Sequence, residues 1–196
     1  MIASKEENRA RDVAALADAG IPVYVTDICT VAGAVSELAA LARLLEAEPG
    51  AAALLDTLRA AVDAAERAGS GRRPTLAFIW RDPWMAVGPA TYADDLLRLC
   101  GAENLACSLP GGRYPRARLD EFMALGPELI LLPDEPYAFA PDDIGAFAAY
   151  ADVPAVRSGR VALCDGRLLT WYGPRIADAL RTLRALVGGD DLDQKG

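Results

Sequence analysis

One stretch constrains the fold more than any other. From Pro49 to Ala68 nothing interrupts a helical pattern. Proline suits the first turn of a helix, where its missing N–H has no partner to lose. Leu54, Leu55, Leu58, Ala61, Val62 and Ala65 then recur at helical spacing as an apolar stripe. Asp56/Arg59 and Asp63/Arg67 lie along the other side, at the separations that let opposite charges meet. At 1.5 Å per residue such a helix is about 30 Å long, the width of a small domain. Gly69-Ser70-Gly71 ends it. No strand precedes that turn and no Gly-Lys-Ser/Thr follows, so it reads as a turn and not as a phosphate loop.

Strand and helix signals alternate on both sides of the long helix. Before it, Met1–Ala3 reads as the end of a strand, and Asn8 as the cap of a helix over 9–19 with Val13, Leu16 and Ala17 on one face. Pro22–Thr26 is a β-rich run, and Thr30 caps a helix through Leu45. After it come a strand at Thr75–Trp80, a helix capped by Thr91 and stopped by Gly101, and a loop over Cys107–Arg116. A short helix at Leu119–Leu125, a strand at Glu128–Leu132 and a helix from Pro141 to about Tyr150 follow. A strand at Arg160–Cys164 and a terminal helix opened by Pro174 complete the series. Strands separated by helices imply βαβ units and mainly parallel sheet. The expected fold is therefore α/β, as two α/β lobes with mainly parallel sheets bridged by a long helix. The expected division is 1–48, 49–69 and 72–188, with 189–196 as a flexible tail.

Composition removes several function classes. The chain of 196 residues carries a formal net charge of −8, which argues against nucleic acid or an anionic membrane as partner. It contains no histidine, so Ser-His and Cys-His nucleophile pairs and His-containing metal sites are excluded. Its four cysteines form no CxxC pair and read as free thiols. No apolar run approaches the roughly 20 residues of a membrane helix. The start, Met1–Arg9, has no basic region followed by an apolar one, so the chain as written is expected to stay in the cytoplasm.

Ligands of open α/β sheets sit at the carboxyl ends of strands. That rule selects four loops: Ser4–Arg9, Trp80–Pro89, Pro133–Phe139 and Thr170–Pro174. Each mixes charge with aromatic rings, the combination that gives a rigid surface for a large ligand. The candidate contacts are Lys5, Glu6, Glu7, Asn8 and Arg9 from the first loop, then Trp80, Asp82, Trp84, Tyr114, Asp134, Glu135, Tyr137, Trp171 and Tyr172. Trp84, Tyr137 and Trp171 are expected to share one groove.

These stretches together carry a resemblance. SKEENRARDVAALADAGIPVYVTDICTV, the 49–68 helix, IWRDPWMAVGPATYADDLLRLCGAENLA, RYPRARLDEFMALGPELILLPDEPYAF and DGRLLTWYGPRIADAL span nearly the whole chain. Their order resembles the helical-backbone substrate-binding proteins of ABC importers, which take up cobalamin and ferric siderophores. The resemblance implies two lobes joined by a rigid helix, a ligand held between them, and little hinge motion. It implies a cobalamin-like or ferric chelate ligand, no intrinsic cofactor, and an ABC permease as partner, with Glu37 and Glu103 as docking acids. Members usually work in the periplasm or anchored outside the membrane. Against that pattern the first lobe is incomplete, by roughly 80–90 residues on typical βαβ lengths. An incomplete sheet exposes apolar residues such as Ile2, Val23 and Val25, which suggests self-association. Two other readings stand beside import. One is a cytoplasmic chelate-binding protein without a transport role. The other is an enzyme using Glu6/Glu7 or Asp134/Glu135 as a carboxylate pair. A receptor for a bare metal ion is disfavoured by the missing histidine.

Overall fold

A computed structural model describes residues 1–68 and 71–189. Gly69 and Ser70 of the expected turn, and 190–196 of the expected tail, lie outside the described residues. The chain begins with two short parallel strands, β1 (Ile2–Ser4) and β2 (Tyr24–Thr26), with Ile2 opposite Tyr24 and Ser4 opposite Thr26. The helix α1 (Ala10–Asp18) crosses between them. Arg9, not Asn8, occupies its cap position and supplies no side-chain cap. Asn8 instead turns back, its Nδ2 donating to the Ser4 carbonyl at 2.9 Å to close the loop after β1. No residue of α1 is buried, so its apolar stripe is left half-covered.

The next two helices follow their signals. Thr30 Oγ1 accepts from the Gly33 N–H at 3.0 Å and starts α2 (Val31–Leu44). The long helix α3 (Glu48–Arg67) begins one residue before Pro49. It buries Leu55, Leu58 and Val62 from the expected stripe. Asp56 and Arg59 pair at 3.2 Å, while Asp63 and Arg67 form no ion pair.

The second sheet is built on β3 (Arg73–Trp80). Along the chain follow β4 (Met85–Ala86), α4 (Tyr92–Leu99), β5 (Ala102–Asn104), α5 (Leu119–Met123), β6 (Leu129–Pro133), α6 (Pro141–Ile144), α7 (Pro154–Arg157), β7 (Val161–Cys164), α8 (Arg167–Thr170) and α9 (Ile176–Gly188). The strand order is β4-β3-β6-β7, and β5 also pairs with β3. All these pairings are parallel except β3–β4. The expected helix 141–150 is α6 followed by a 3-10 turn over Gly145–Tyr150.

Alternation along β3 and β6 divides the core in two. Ala77, Leu129 and Leu131 face one side, where α3, α4, α8 and α9 cover them. Leu76, Phe78, Ile130 and Leu132 face the other, against Phe122, Phe147 and Ala155 from α5, the 3-10 turn and α7. The first core continues without a break through α3 into Val31, Ala34 and Val35 of α2. One face of the long helix thus serves both sheets' surroundings. All four cysteines are free: Cys100 is buried, Cys107 exposed, Cys29 and Cys164 in between.

Candidate functional site

The carboxyl ends of β3 and β6 open into a cleft of about 430 Å³. Glu6 and Glu7 of the β1–α1 loop form one wall. Tyr114, Glu135, Trp171 and Tyr172 form the opposite wall, with Ile79, Val87 and Leu169 as an apolar floor. Two glycines let the second wall form. A Cβ on Gly88 would collide with Gly112 O and Pro115 Cδ, and its N–H donates to Arg113 O at 2.8 Å. This close approach sets Tyr114. A Cβ on Gly166 would lie 2.5 Å from Glu135 Cγ and O. The Gly166 N–H also donates to Asp134 Oδ1 at 2.7 Å. The loop after β6 is therefore clamped to the start of α8, which carries Trp171 and Tyr172 on its far end.

Polar contacts tie the two walls together. The Tyr114 hydroxyl donates to a Glu6 carboxylate oxygen. Burial and that carboxylate push the Tyr114 phenol well above its usual range, so it stays protonated and keeps donating. Ser4 Oγ and Tyr172 Oη lie 3.4 Å apart. Lys5 pairs with Asp27, and Arg113 reaches the same carboxylate at 3.6 Å. The Val31 N–H, at the start of α2, donates to Asp95 Oδ2 on α4 at 2.8 Å.

Six expected contacts, Glu6, Glu7, Tyr114, Glu135, Trp171 and Tyr172, line this cleft. The other eight do not. Lys5 is spent on Asp27, Asn8 on the Ser4 carbonyl, and Arg9 caps α1 in solvent. Asp82 is exposed beside Arg81, 3.7 Å from its Nε. Asp134 holds Gly166 and does not join Glu135, so the expected carboxylate pair is split. The three remaining rings belong to the other face of the sheet. Trp84 packs 4.9 Å from Phe78 and 5.5 Å from Phe147, ring centre to ring centre. Its outer edge lines a separate groove with Arg116 and Arg118. Trp80 and Tyr137 meet edge to face at 5.6 Å. The expected common groove of Trp84, Tyr137 and Trp171 is thus not formed; only Trp171, 55% exposed, stands in the cleft. Thr91, the cap of α4, and Tyr92, its first residue, also line the cleft and were not among the expected contacts. The helical cap at Thr91 was visible, but not that α4 would point its first turn at the loops. Of the acids expected to face a permease, Glu103 is exposed, while Glu37 is half-buried with Oε1 shut from solvent and unpartnered.

Residues 4–168 match the family model described as periplasmic binding protein. The chain belongs to the periplasmic binding protein family. Solved structures share its fold. The vitamin B12-binding protein BtuF of Vibrio cholerae superposes with a TM-score of 0.80 at 18% identity, over 95% of this chain and 72% of that one. The heme-binding protein RhuT from Roseiflexus sp. RS-1 gives 0.78 at 21%, over 95% and 74%. The heme-binding protein BhuT, solved with two hemes, gives 0.78 at 25%, over 96% and 74%. No curated protein matches the chain. The family to which it belongs is one of binding proteins. Among its described residues no helix is long and apolar enough to cross a membrane.

Proposed function

We propose that the cleft holds one large organic or metal-chelate ligand, cobalamin-like or ferric siderophore-like, for delivery to an ABC permease in the periplasm. The lobes on either side of α3 grip it from two sides. The observation that carries this reading is the meeting of Glu6 and Glu7 with Tyr114, Trp171 and Tyr172 around one cleft. Rings of this kind offer large contact area at low entropic cost. The B12- and heme-binding relatives, which share the fold, support the ligand's size class. A titration of cyanocobalamin, hemin and ferrichrome, followed by tryptophan emission, tests it. One of them is expected to quench emission with one-to-one stoichiometry. Trp171→Ala should then weaken binding by about 1–3 kcal/mol, the cost of losing a stacking anchor. Unchanged emission throughout would remove the reading.

No turnover of the bound ligand is expected, because Asp134 is spent on the Gly166 N–H and Glu135 accepts from the Thr170 hydroxyl, so the two carboxylates do not act as a pair. For the remaining partner we propose a second copy of the chain. Ile2 and Val25 of the short first sheet are 50% and 44% exposed. Sedimentation equilibrium should show a dimer that Val25→Lys weakens; a monomer at high concentration rejects it.

A further inference from the structure

We infer that the cleft selects its ligand by charge: it accepts neutral or cationic chelates bearing amide donors and turns away those bearing free carboxylates or catecholates. The inference rests on the binding role proposed above. Three lining side chains are carboxylates, Glu6, Glu7 and Glu135, and among the described residues no lining residue is Lys or Arg. The basic side chains nearby are committed elsewhere. Lys5 is paired with Asp27, Arg113 with Asp27 and the Ala90 carbonyl, and Arg81 with Asp143. The other polar side-chain groups of the lining are hydroxyls and the Trp171 indole N–H. Among them Tyr92, 3% exposed, has an Oη with no hydrogen-bond partner. An anionic ligand entering this cleft would lose hydration and meet three negative charges with no cation to repay it. An amide N–H or a cationic metal centre would instead find acceptors already aimed inward. Like-charge juxtaposition is a strong device for rejecting wrong partners.

The test varies charge on one fixed skeleton, the corrin, and across a series of iron chelates. On the corrin, aquocobalamin is a cation, cyanocobalamin neutral, and the monocarboxylate made by hydrolysing one propionamide an anion. Among iron chelates, ferrioxamine B is a cation, ferrichrome neutral, and a ferric tricatecholate a trianion. Whichever series binds, affinity should fall from cation to neutral to anion at low salt, by about tenfold for each single-charge step on the corrin. The order should flatten in 0.5 M salt and in the double variant Glu7→Gln/Glu135→Gln, which leaves the Glu6–Tyr114 contact in place. The salt series uses the unaltered protein, so the test survives a variant that fails to fold. An anion that binds as tightly as its cationic analogue overturns the charge inference and spares the binding role. So does an order unmoved by both salt and substitution. Hemin carries two free propionates, so its binding where neither series binds overturns the charge inference and spares the binding role; binding of neither series and of no hemin overturns both.

Discussion

At Gly166 a single methyl group has no room. Its φ is an ordinary −62°, so alanine would meet no backbone penalty there. The obstacle is Glu135, whose Cγ and carbonyl oxygen lie 2.5 Å from the missing Cβ. Gly166→Ala should therefore push the β6–α6 loop, which carries Glu135, outward and cost about 1–3 kcal/mol as an overpacking change. Ligand affinity should fall as well, because Glu135 lines the cleft. Gly145→Ala, in open space, is the control and should change neither. Equal effects of both on melting temperature would contradict the clamp. Asp27 makes a second residue-level case. Lys5 chiefly, then Cys29 and Arg113, hold its carboxyl below the ordinary 3.8. A depressed carboxyl contributes stability above its unfolded value and loses it as pH falls through the lower, folded value. The Lys5–Asp27–Arg113 contact should thus persist through neutral and mildly acidic pH and release only below the ordinary carboxylate range. An NMR titration of the Asp27 carboxyl with a midpoint at or above 3.8 would show the pairing is not made in solution.

Among the elements, α3 is the best-founded. Leu58, fully shielded midway along it, touches a core shared by α2, α4 and α9. Leu58→Ala should cost about 2–5 kcal/mol, read from urea unfolding. By contrast α1 buries nothing, whereas β6 is buried at every residue. Hydrogen exchange should find amides of 10–18 exchanging far faster than those of 129–133; comparable protection would mean that α1 is covered in solution. The same contrast explains what could be read beforehand. Long periodic stretches such as 49–68, and the apolar run Glu128–Leu132, declare themselves because burial repeats over several turns or positions. Elements of two to four residues, β4, β5, α7 and α8, give no period to detect. The site was half legible. Strand ends gave the right loops, but which face each ring takes depends on odd and even register, which a one-residue difference in the strand's end reverses. Ile79 points to the cleft, while the adjacent Trp80 meets Tyr137 away from it. Asp134 and Glu135 part for the same reason.

Across the whole molecule, a continuous α3 and four cross-cleft contacts hold the two walls at fixed spacing. Small-angle scattering should therefore give the same radius of gyration with and without ligand; a clear contraction would reveal a hinge that these contacts do not suggest. The reach of those contacts along the chain has a temporal side. Val31 waits 64 residues for Asp95, Glu6 waits 108 for Tyr114, and Ser4 waits 168 for Tyr172. At roughly 5–20 residues per second, the last interval lasts on the order of ten to thirty seconds on the ribosome. During that time the nascent β1, α1 and β2 have few partners beyond one another, with Ile2 and Val25 open to any passing surface. These elements are made well before the residues that complete their wall, which makes them natural clients of a chaperone during synthesis.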